Sequence, residues 1–503
     1  MERIYVTTSI PYVNARPHVG FALELVQADA IARHARLVGR PTRFQSGTDE
    51  NAGKNAQVAR ALGIAPHALV DAHSAEYRRL VDALGCAADD FVRTTEERHC
   101  RGVQALWRRL RPEDLYRRAY RGRYCSGCED FLGETDLVDG RCPDHDAPLA
   151  EVEEENWFFR LSAYQEPLLG LLEEGRLRVV PEKRRAEVLA FVRRGLRDIS
   201  VSRRAERMGH WGIPVPGHPD EVIYVWIDAL ANYITGPGFG GAQAWQEWWG
   251  PGVRKVHVIG KNVWKFHAVY WPALLLSAGL PPPDEVVVHG FLTAEGRKIG
   301  KSLGNAVDPF PCVQQVGADG LRYYLLRAVP PFDDGDFALE QLRRVYHADL
   351  ANGLGNLVSR VTALAARSGL GGLLTGPQDA ALPRPPAGYG EAMAEYAFQR
   401  ALESLWAVIG QVDRQIEEVR PWEALRAGQE ERLRPYLTQW LGQLRVIGHW
   451  LQPFLPATGA AILRAVGADP VQHSPPLFPR LERPAANAQP TAPKEEAWQI
   501  ERT

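Results

Sequence analysis

The sequence predicts an α/β body, interrupted by a small cysteine-rich insertion and followed by an all-α helical bundle. Three observations carry this: a βαβ opening over residues 3–48, further apolar strands near 223–229, 256–261 and 285–288, and helical periodicity throughout from about residue 340. Strands alternating with helices bury a sheet between helical layers, whereas helices alone pack on one another. At 503 residues the chain exceeds what one core supports, so about three domains are expected. It is 45% hydrophobic and 24% charged with a net charge of −2, the profile of a soluble globular protein. A polyanionic partner must therefore be met by local basic patches. The N-terminus lacks a basic, then apolar leader, and no run reaches the roughly 18 apolar residues of a spanning helix, so a cytoplasmic location and no membrane partner are expected.

The opening strand, Ile4-Tyr5-Val6-Thr7-Thr8, leads through Arg16-Pro17-His18-Val19-Gly20 into a helix over 19–37, with Val19, Leu23, Val26, Ala30 and Leu37 on one side and Gly39 as its stop. A helix N-terminus presents unpaired N–H groups and the positive end of its dipole, and Gly20 lets a ligand approach the backbone, so His-x-Gly at this point suits a phosphate. Ordinary capping is the competing reading of the same residues. A second strand at Thr42-Arg43-Phe44-Gln45 ends in Gly47-Thr48-Asp49-Glu50. His18 and Asp49 would then lie together at the carboxyl ends of strands, where such folds bind ligands. Asp49 equally suits the N-cap of a helix over 50–60. Residues 66–110 read as helical, with Trp107 and Leu110 in the core.

Three of the six cysteines crowd into Cys125–Cys142. Cys125-Ser126-Gly127-Cys128 and Cys142-Pro143-Asp144-His145 form two half-knuckles whose separation matches a tetrahedral zinc site. Three thiolates and one imidazole leave no open position, so the metal would be structural, folding an insertion too small for its own core. Buried cysteines that merely happen to be so spaced are the competing reading, and His145 could belong to a surface turn.

Helical segments are expected after the insertion to about residue 200, followed by Tyr224-Val225-Trp226-Ile227-Asp228-Ala229 as a strand entering a helix. Val256-His257-Val258-Ile259-Gly260-Lys261 is a further strand, and a helix over 264–278 carries Phe266 and His267. After the strand at 285–288, a turn at Ala294-Glu295-Gly296 opens the basic loop Arg297-Lys298-Ile299-Gly300-Lys301-Ser302. Only eight of the 59 basic residues are lysine, yet Lys255, Lys261, Lys265, Lys298 and Lys301 fall within 47 residues. A compact, mobile ammonium suits phosphate, though a solvated face would look the same. Helices follow near 341–367, 390–420, 428–452 and 456–466, then a Pro/Ala-rich tail over 468–503 expected to be loosely attached.

Thr7-Thr8-Ser9-Ile10-Pro11-Tyr12-Val13-Asn14, His18-Val19-Gly20, Gly47-Thr48-Asp49-Glu50, the cysteine knuckle, Tyr224 to Ala229, Lys298-Ile299-Gly300-Lys301-Ser302, Gly304-Asn305 and Pro421-Trp422 occur in the order found in methionyl-tRNA synthetases. The chain resembles that class I aminoacyl-tRNA synthetase family over about residues 3–470. The resemblance implies a Rossmann-like catalytic domain in two halves, 1–115 and 221–290, split by a connective insertion over 116–220 with a zinc knuckle at about 124–146. A mobile-loop and stem-contact region at 291–345 and an all-α helical-bundle anticodon-binding domain at 346–467 would follow. It implies the ligation of methionine to methionine tRNA through methionyl-adenylate, with ATP and Mg2+ as substrate and one structural Zn2+ held by Cys125, Cys128, Cys142 and His145. His18, Lys298 and Lys301 would be catalytic, with Pro17, Gly20, Lys261 and Ser302 joining them on ATP. Tyr12, Trp226, Ala229, Tyr233, Phe266 and His267 would form the methionine pocket, with Asp49 on the amino group. Asn356, Arg360 and Trp422 would read the anticodon. With no evident C-terminal dimerisation module, a monomer is expected.

The sequence departs from the family pattern at Phe21, Asn51, Asn262, Ile299-Gly300 and Asp413, where a second histidine, a histidine, an aspartate, Met-Ser and an asparagine are usual. Losing one transition-state donor costs about 10²–10³ in rate, so these departures would slow or repurpose the site. Three functions stay open on sequence alone: a methionine-tRNA ligase, a synthetase-like enzyme passing an activated amino acid to a non-tRNA acceptor such as an amine or hydroxylamine, and a non-enzymatic tRNA-binding paralogue.

Overall fold

A computed structural model describes residues 2–125, 130–132, 137, 139–142, 149–241, 245–294, 296–298, 306–374 and 382–481. The body is built on β1 (Arg3–Thr8), α1 (Val19–Leu37), β2 (Thr42–Thr48), α2 (Pro66–Ala83), β3 (Asp90–Arg93) and α3 (Glu97–Arg109), continued by β4 (Arg178–Val180), α4 (Val225–Thr235), β5 (Val253–Gly260) and β6 (Glu285–His289). Among the described residues these strands form one six-stranded sheet in the order β3-β2-β1-β5-β6-β4, parallel throughout.

Both faces of the sheet are covered, and the two-residue period of a strand sorts its side chains between them. Ile4, Val6, Val256, Val258 and Val287 face the layer that contains α1 and α2, while Tyr5, Ile259, Val286 and Val288 face the layer that contains α3 and α4. The first of these cores runs on without a break into the helical bundle, where Leu357, Leu405, Leu444 and Phe454 belong to the same buried cluster.

A three-stranded ribbon follows the sheet: β7 (Leu292–Ala294) pairs antiparallel with β8 (Arg297–Lys298) and parallel with β9 (Gly335–Phe337), which comes after α5 (Pro309–Arg327). The bundle contains α6 (Asn356–Ser368), α7 (Phe398–Val419), α8 (Pro421–Arg426), α9 (Arg434–Leu451) and α10 (Pro456–Gly467). The fully buried Arg322 of α5 joins body and bundle. Its guanidinium pairs with Asp29 of α1 at 2.7 Å and donates to the carbonyls of Phe454 (2.6 Å), Pro453 (3.0 Å) and Leu84 (3.3 Å).

Four expectations need correction. The helical stretch 66–110 is broken by β3, and β4 lies inside the region assigned to the insertion yet forms an edge of the main sheet. Strands of four and three residues are too short for their period to show against flanking helices. Residues 225–229 begin a helix, because an almost wholly buried helix reads as a continuous apolar run, just as a buried strand does. Residues 468–481 are packed rather than loose: Val471 and Phe478 are buried, and Tyr346 donates to the Pro479 carbonyl at 2.9 Å. Among the described residues, no helix is long and apolar enough to cross a membrane.

Candidate active site

The carboxyl ends of β1, β2 and β5 converge on one cleft, and residues from each chain segment that follows line it. His18 is the N-cap of α1, and its Nδ1 accepts the Gly20 N–H at 3.0 Å. The accepting nitrogen carries no proton, so the ring proton sits on Nε2. A Cβ on residue 20 would lie 2.7 Å from His18 Cε1, so the cap requires glycine there. Capping and ligand binding, competing readings from sequence, are thus compatible: the cap fixes the tautomer and leaves Nε2–H as a donor. The Val19 N–H donates to the Val307 carbonyl at 3.0 Å, so the chain returning from the basic loop is fastened beside the same helix end. The Lys298 side chain and all of Lys301 and Ser302 lie outside the described residues. Pro17 is buried immediately before the cap.

Asp49 is not a cap. The helix after it begins at Gly53 with Ala52 as N-cap, while the buried Asp49 is bridged to Tyr12 and donates its N–H to the Pro11 carbonyl at 2.9 Å. Tyr12 lies 6.2 Å from Trp226, ring to ring, and Trp226 stacks on Phe266 at 3.7 Å with planes 4° apart. Behind them the buried Tyr233 hydroxyl meets His267 Nε2 at 2.7 Å, and His267 Nδ1 lies 2.9 Å from the Val263 carbonyl. The carbonyl can only accept, so Nδ1 holds the proton and Tyr233 donates to Nε2. Burial holds His267 neutral, lowering its pKa to about 4. Ala229 is buried one turn from Trp226 and Tyr233 on α4. All seven residues predicted for the amino-acid pocket therefore lie on segments that meet in this cleft.

Lys261 extends from the end of β5 and pairs with both oxygens of Asp334 at 2.7 Å, its ammonium lying 4.5 Å from the Phe291 ring centroid. Asp334 also accepts the Phe291 N–H at 2.9 Å, so the lysine predicted for ATP is tied to the ribbon that carries the basic loop.

The departures from the family pattern do not all lie where they were expected. Phe21 does not face a nucleotide: its ring is buried in the α1–α2 core, edge-on to Tyr77 at 5.4 Å. Asn51 is also buried, and its amide donates to Asp228 (2.8 Å) and to the Thr94 carbonyl (2.9 Å). Asn262 is exposed, and Ile299 and Gly300 lie outside the described residues. Sequence reasoning missed Glu24, whose buried carboxylate accepts from the Ser9 N–H (2.7 Å) and hydroxyl (2.6 Å) and meets His289 Nε2 at 2.9 Å. An acidic residue amid the apolar positions of α1 was the signal for it.

In the bundle, Asn356 is exposed one turn before Arg360 on α6, and the Arg360 guanidinium lies over the Trp422 ring at 5.6 Å while pairing with Glu417. Trp422 is half-buried and packs against the core. Burial raises the Asp413 carboxyl, with Glu417 adding to the rise and Arg360 opposing it. Cys125 and Cys142 are both buried, whereas Cys128 and His145 lie outside the described residues.

The family model for class I tRNA synthetases (M) matches residues 4–151 and 145–362. A methionine-tRNA ligase of Brucella suis is 41% identical over 483 residues, covering 93% of each chain. One of Thermotoga maritima is 38% identical, covering 92% of this chain and 75% of its own. The crystal structure of Mycobacterium tuberculosis methionyl-tRNA synthetase bound by methionyl-adenylate is similar with a TM-score of 0.84 and 37% identity, covering 94% of this chain and 96% of its own. The apo form of that enzyme gives 0.78 at 34% identity, covering 96% and 99%.

Proposed function

Because the chain belongs to the class I tRNA synthetases of the methionine type, we propose that it activates methionine with ATP and transfers it to methionine tRNA. The observation that carries this is the convergence in one cleft of a histidine-capped helix end and an aromatic cluster whose Tyr12 is bridged to the buried Asp49.

Activation requires in-line attack of the methionine carboxylate on the α-phosphorus of ATP with loss of pyrophosphate. Such a step asks the protein for positioning and for charge stabilisation rather than for covalent work. Asp49 holds the ammonium, and Tyr12, Trp226, Ala229, Tyr233, Phe266 and His267 enclose the side chain; a polarizable thioether suits aromatic walls. Neutral His267, accepting from Tyr233, keeps the pocket floor uncharged. The N-terminus of α1, with Pro17 and Gly20 shaping it, favours the phosphates through its dipole, its first N–H groups being already paired, and His18 Nε2–H donates to an oxygen as its charge grows. Lys261 exchanges Asp334 for phosphate, and Lys298, Lys301 and Ser302 close from a loop fastened beside Val19. Mg2+ accompanies the ATP. In the second step the tRNA 3′-terminal hydroxyl displaces AMP from methionyl-adenylate, while Asn356, Arg360 and Trp422 hold splayed anticodon bases by hydrogen bonding and stacking.

Zinc fits the insertion as a structural ion. Cys125 and Cys142 supply two buried thiols, and with Cys128 and His145 they would hold the ion through three thiolates and one imidazole. The division into a split catalytic domain, connective insertion, loop region and anticodon-binding bundle belongs to the same reading, with β4 reassigned to the catalytic sheet.

The test is methionine-dependent exchange of pyrophosphate into ATP, followed by charging of methionine tRNA. Both are expected. Exchange without charging would move the acceptor away from tRNA. Trp422→Ala should weaken charging by roughly 10–100-fold through tRNA KM while leaving exchange unchanged, since stacking is worth about 1–3 kcal/mol per base.

A further inference from the structure

Helix α4 is buried along nearly its whole length, yet it carries two stripes of opposite character. Trp226, Ala229 and Tyr233 recur at helical spacing on the side that walls the amino-acid pocket. Asp228, Asn232 and Thr235 recur at the same spacing on the side away from it, and all three are buried.

This second stripe is fully engaged. Asp228 Oδ2 accepts from the Asn51 amide at 2.8 Å, and Asp228 Oδ1 meets His99 Nε2 at 2.7 Å. The other ring nitrogen of His99 reaches the Thr235 hydroxyl at 2.7 Å. The Asn232 side-chain oxygen accepts from Gln45 at 2.9 Å, and Tyr5 donates to Gln45 at 2.6 Å. The approach of α3 that brings His99 into range is close: a Cβ at Gly102, one turn further along α3, would lie 2.3 Å from Thr235 Cγ2. A buried carboxylate is tolerated only where donors meet it, so Asp228 has few rotations of α4 in which it can be satisfied. Asn51 belongs to the same short loop as Asp49, which makes its second amide bond, to Thr94, a tie between that loop and the end of β3.

We propose that Asn51, Asp228 and His99 form a polar seam that fixes the rotation of α4 relative to the Asp49 loop, and thereby the length of amino-acid side chain the pocket accepts. These are positioning residues: none lines the pocket, and each acts through Trp226, Ala229 and Tyr233. The inference rests on the pocket assignment above and adds the device that sets its dimensions. It also gives the departure at Asn51 a role in amino-acid selection rather than in phosphate binding.

The test is pyrophosphate exchange by the full chain with methionine and with ethionine, which is longer by one methylene. Asp228→Asn sets an amide against the Asn51 amide, and Asn51→Ser shortens the donor. Each should raise the methionine KM by roughly tenfold, leave the ATP KM unchanged and relax the preference for methionine over ethionine by about the same factor, within what one methylene can discriminate. Asn51→Asp alone should be the most damaging, since it opposes two carboxylates. Adding Asp228→Asn to it restores a donor–acceptor pair and should recover part of the methionine KM. Should Asn51→Asp fail to fold, Asn51→Ser carries the same reading. A lower kcat with both KM values and the ethionine ratio unmoved, a parallel rise in the ATP KM, or strict additivity in the paired variant would overturn the seam. Absence of methionine-dependent exchange in the unaltered chain would instead overturn the proposed function and this inference with it.

Discussion

The two ends of the cleft are built on opposite principles. At the amino-acid end the paired polar groups are buried ones: His267 between Tyr233 and Val263, and, behind the pocket wall, Asp228 between Asn51 and His99. At the phosphate end the groups are half-exposed: His18 caps α1 through Nδ1, and Lys261 sits in a solvent-accessible ion pair of the kind worth about 0–1 kcal/mol. Selection among similar side chains needs walls that cannot shift, because a methylene is worth only about 1–3 kcal/mol. Charge that appears only in the transition state needs donors that can come and go cheaply. On the proposed reaction, the two ends divide the work of binding and rate between them.

Removing His18 should separate these roles most sharply. His18→Ala takes away the Nε2–H donor and the cap on Gly20, and should lower the exchange kcat by about 10²–10³ while the methionine KM stays within a few fold. A matching rise in methionine KM would mean that the ends are mechanically coupled.

Acid should break the other end first. Burial lowers the folded pKa of His267 to about 4 from an unfolded value of 6.5, so between those pH values the unfolded chain binds the proton more readily. Stability is complete above about pH 6.5 and falls as the pH drops towards 4, by about 3 kcal/mol for His267 at pH 4. His34, lowered to about 4 by burial and packed between Tyr389 and Trp450, adds a loss of the same sign. Thermal melting from pH 8 to pH 4 checks this, and His34→Gln should flatten the curve without changing the methionine KM.

Tyr233→Phe deletes the hydroxyl that His267 accepts from. The cost of about 1 kcal/mol should appear as a roughly fivefold rise in methionine KM with kcat for exchange nearly unchanged. The smallest effect on rate is expected from Phe21→His. Its ring lies in the core against Tyr77, so the histidine gains no phosphate contact, exchange does not speed up, and the polar ring destabilises the chain by about 1–3 kcal/mol. A faster exchange would mean that position 21 turns towards the nucleotide in the working state.

Much of this was legible in the sequence because period and punctuation are local. The strand, Pro-His-x-Gly and helix of the opening, and the Gly-Lys end of β5, fall where the residue pattern places them. What escaped depends on neighbours far along the chain. Nothing within the 19–37 periodicity shows that Phe21 meets Tyr77, and Asn51 gives no sign of Asp228, 177 residues away. β3 and β4 are strands by virtue of their neighbours in the sheet, and each is too short to announce itself. The resemblance to a family supplied the list of pocket residues, but only the geometry showed that the departures at Phe21 and Asn51 fall in buried contacts.

Arg322 sets a limit on how this molecule can be cut. Its charge is balanced by Asp29 on α1, the helix that His18 caps, and two of its carbonyl partners, on Pro453 and Phe454, come from the far end of the bundle. A fragment ending before α6 would keep the guanidinium and lose both acceptors, leaving buried N–H groups without partners in a core that has also lost its continuation. The body and the bundle should therefore melt as a single cooperative unit, and the body should not survive as an expressible half.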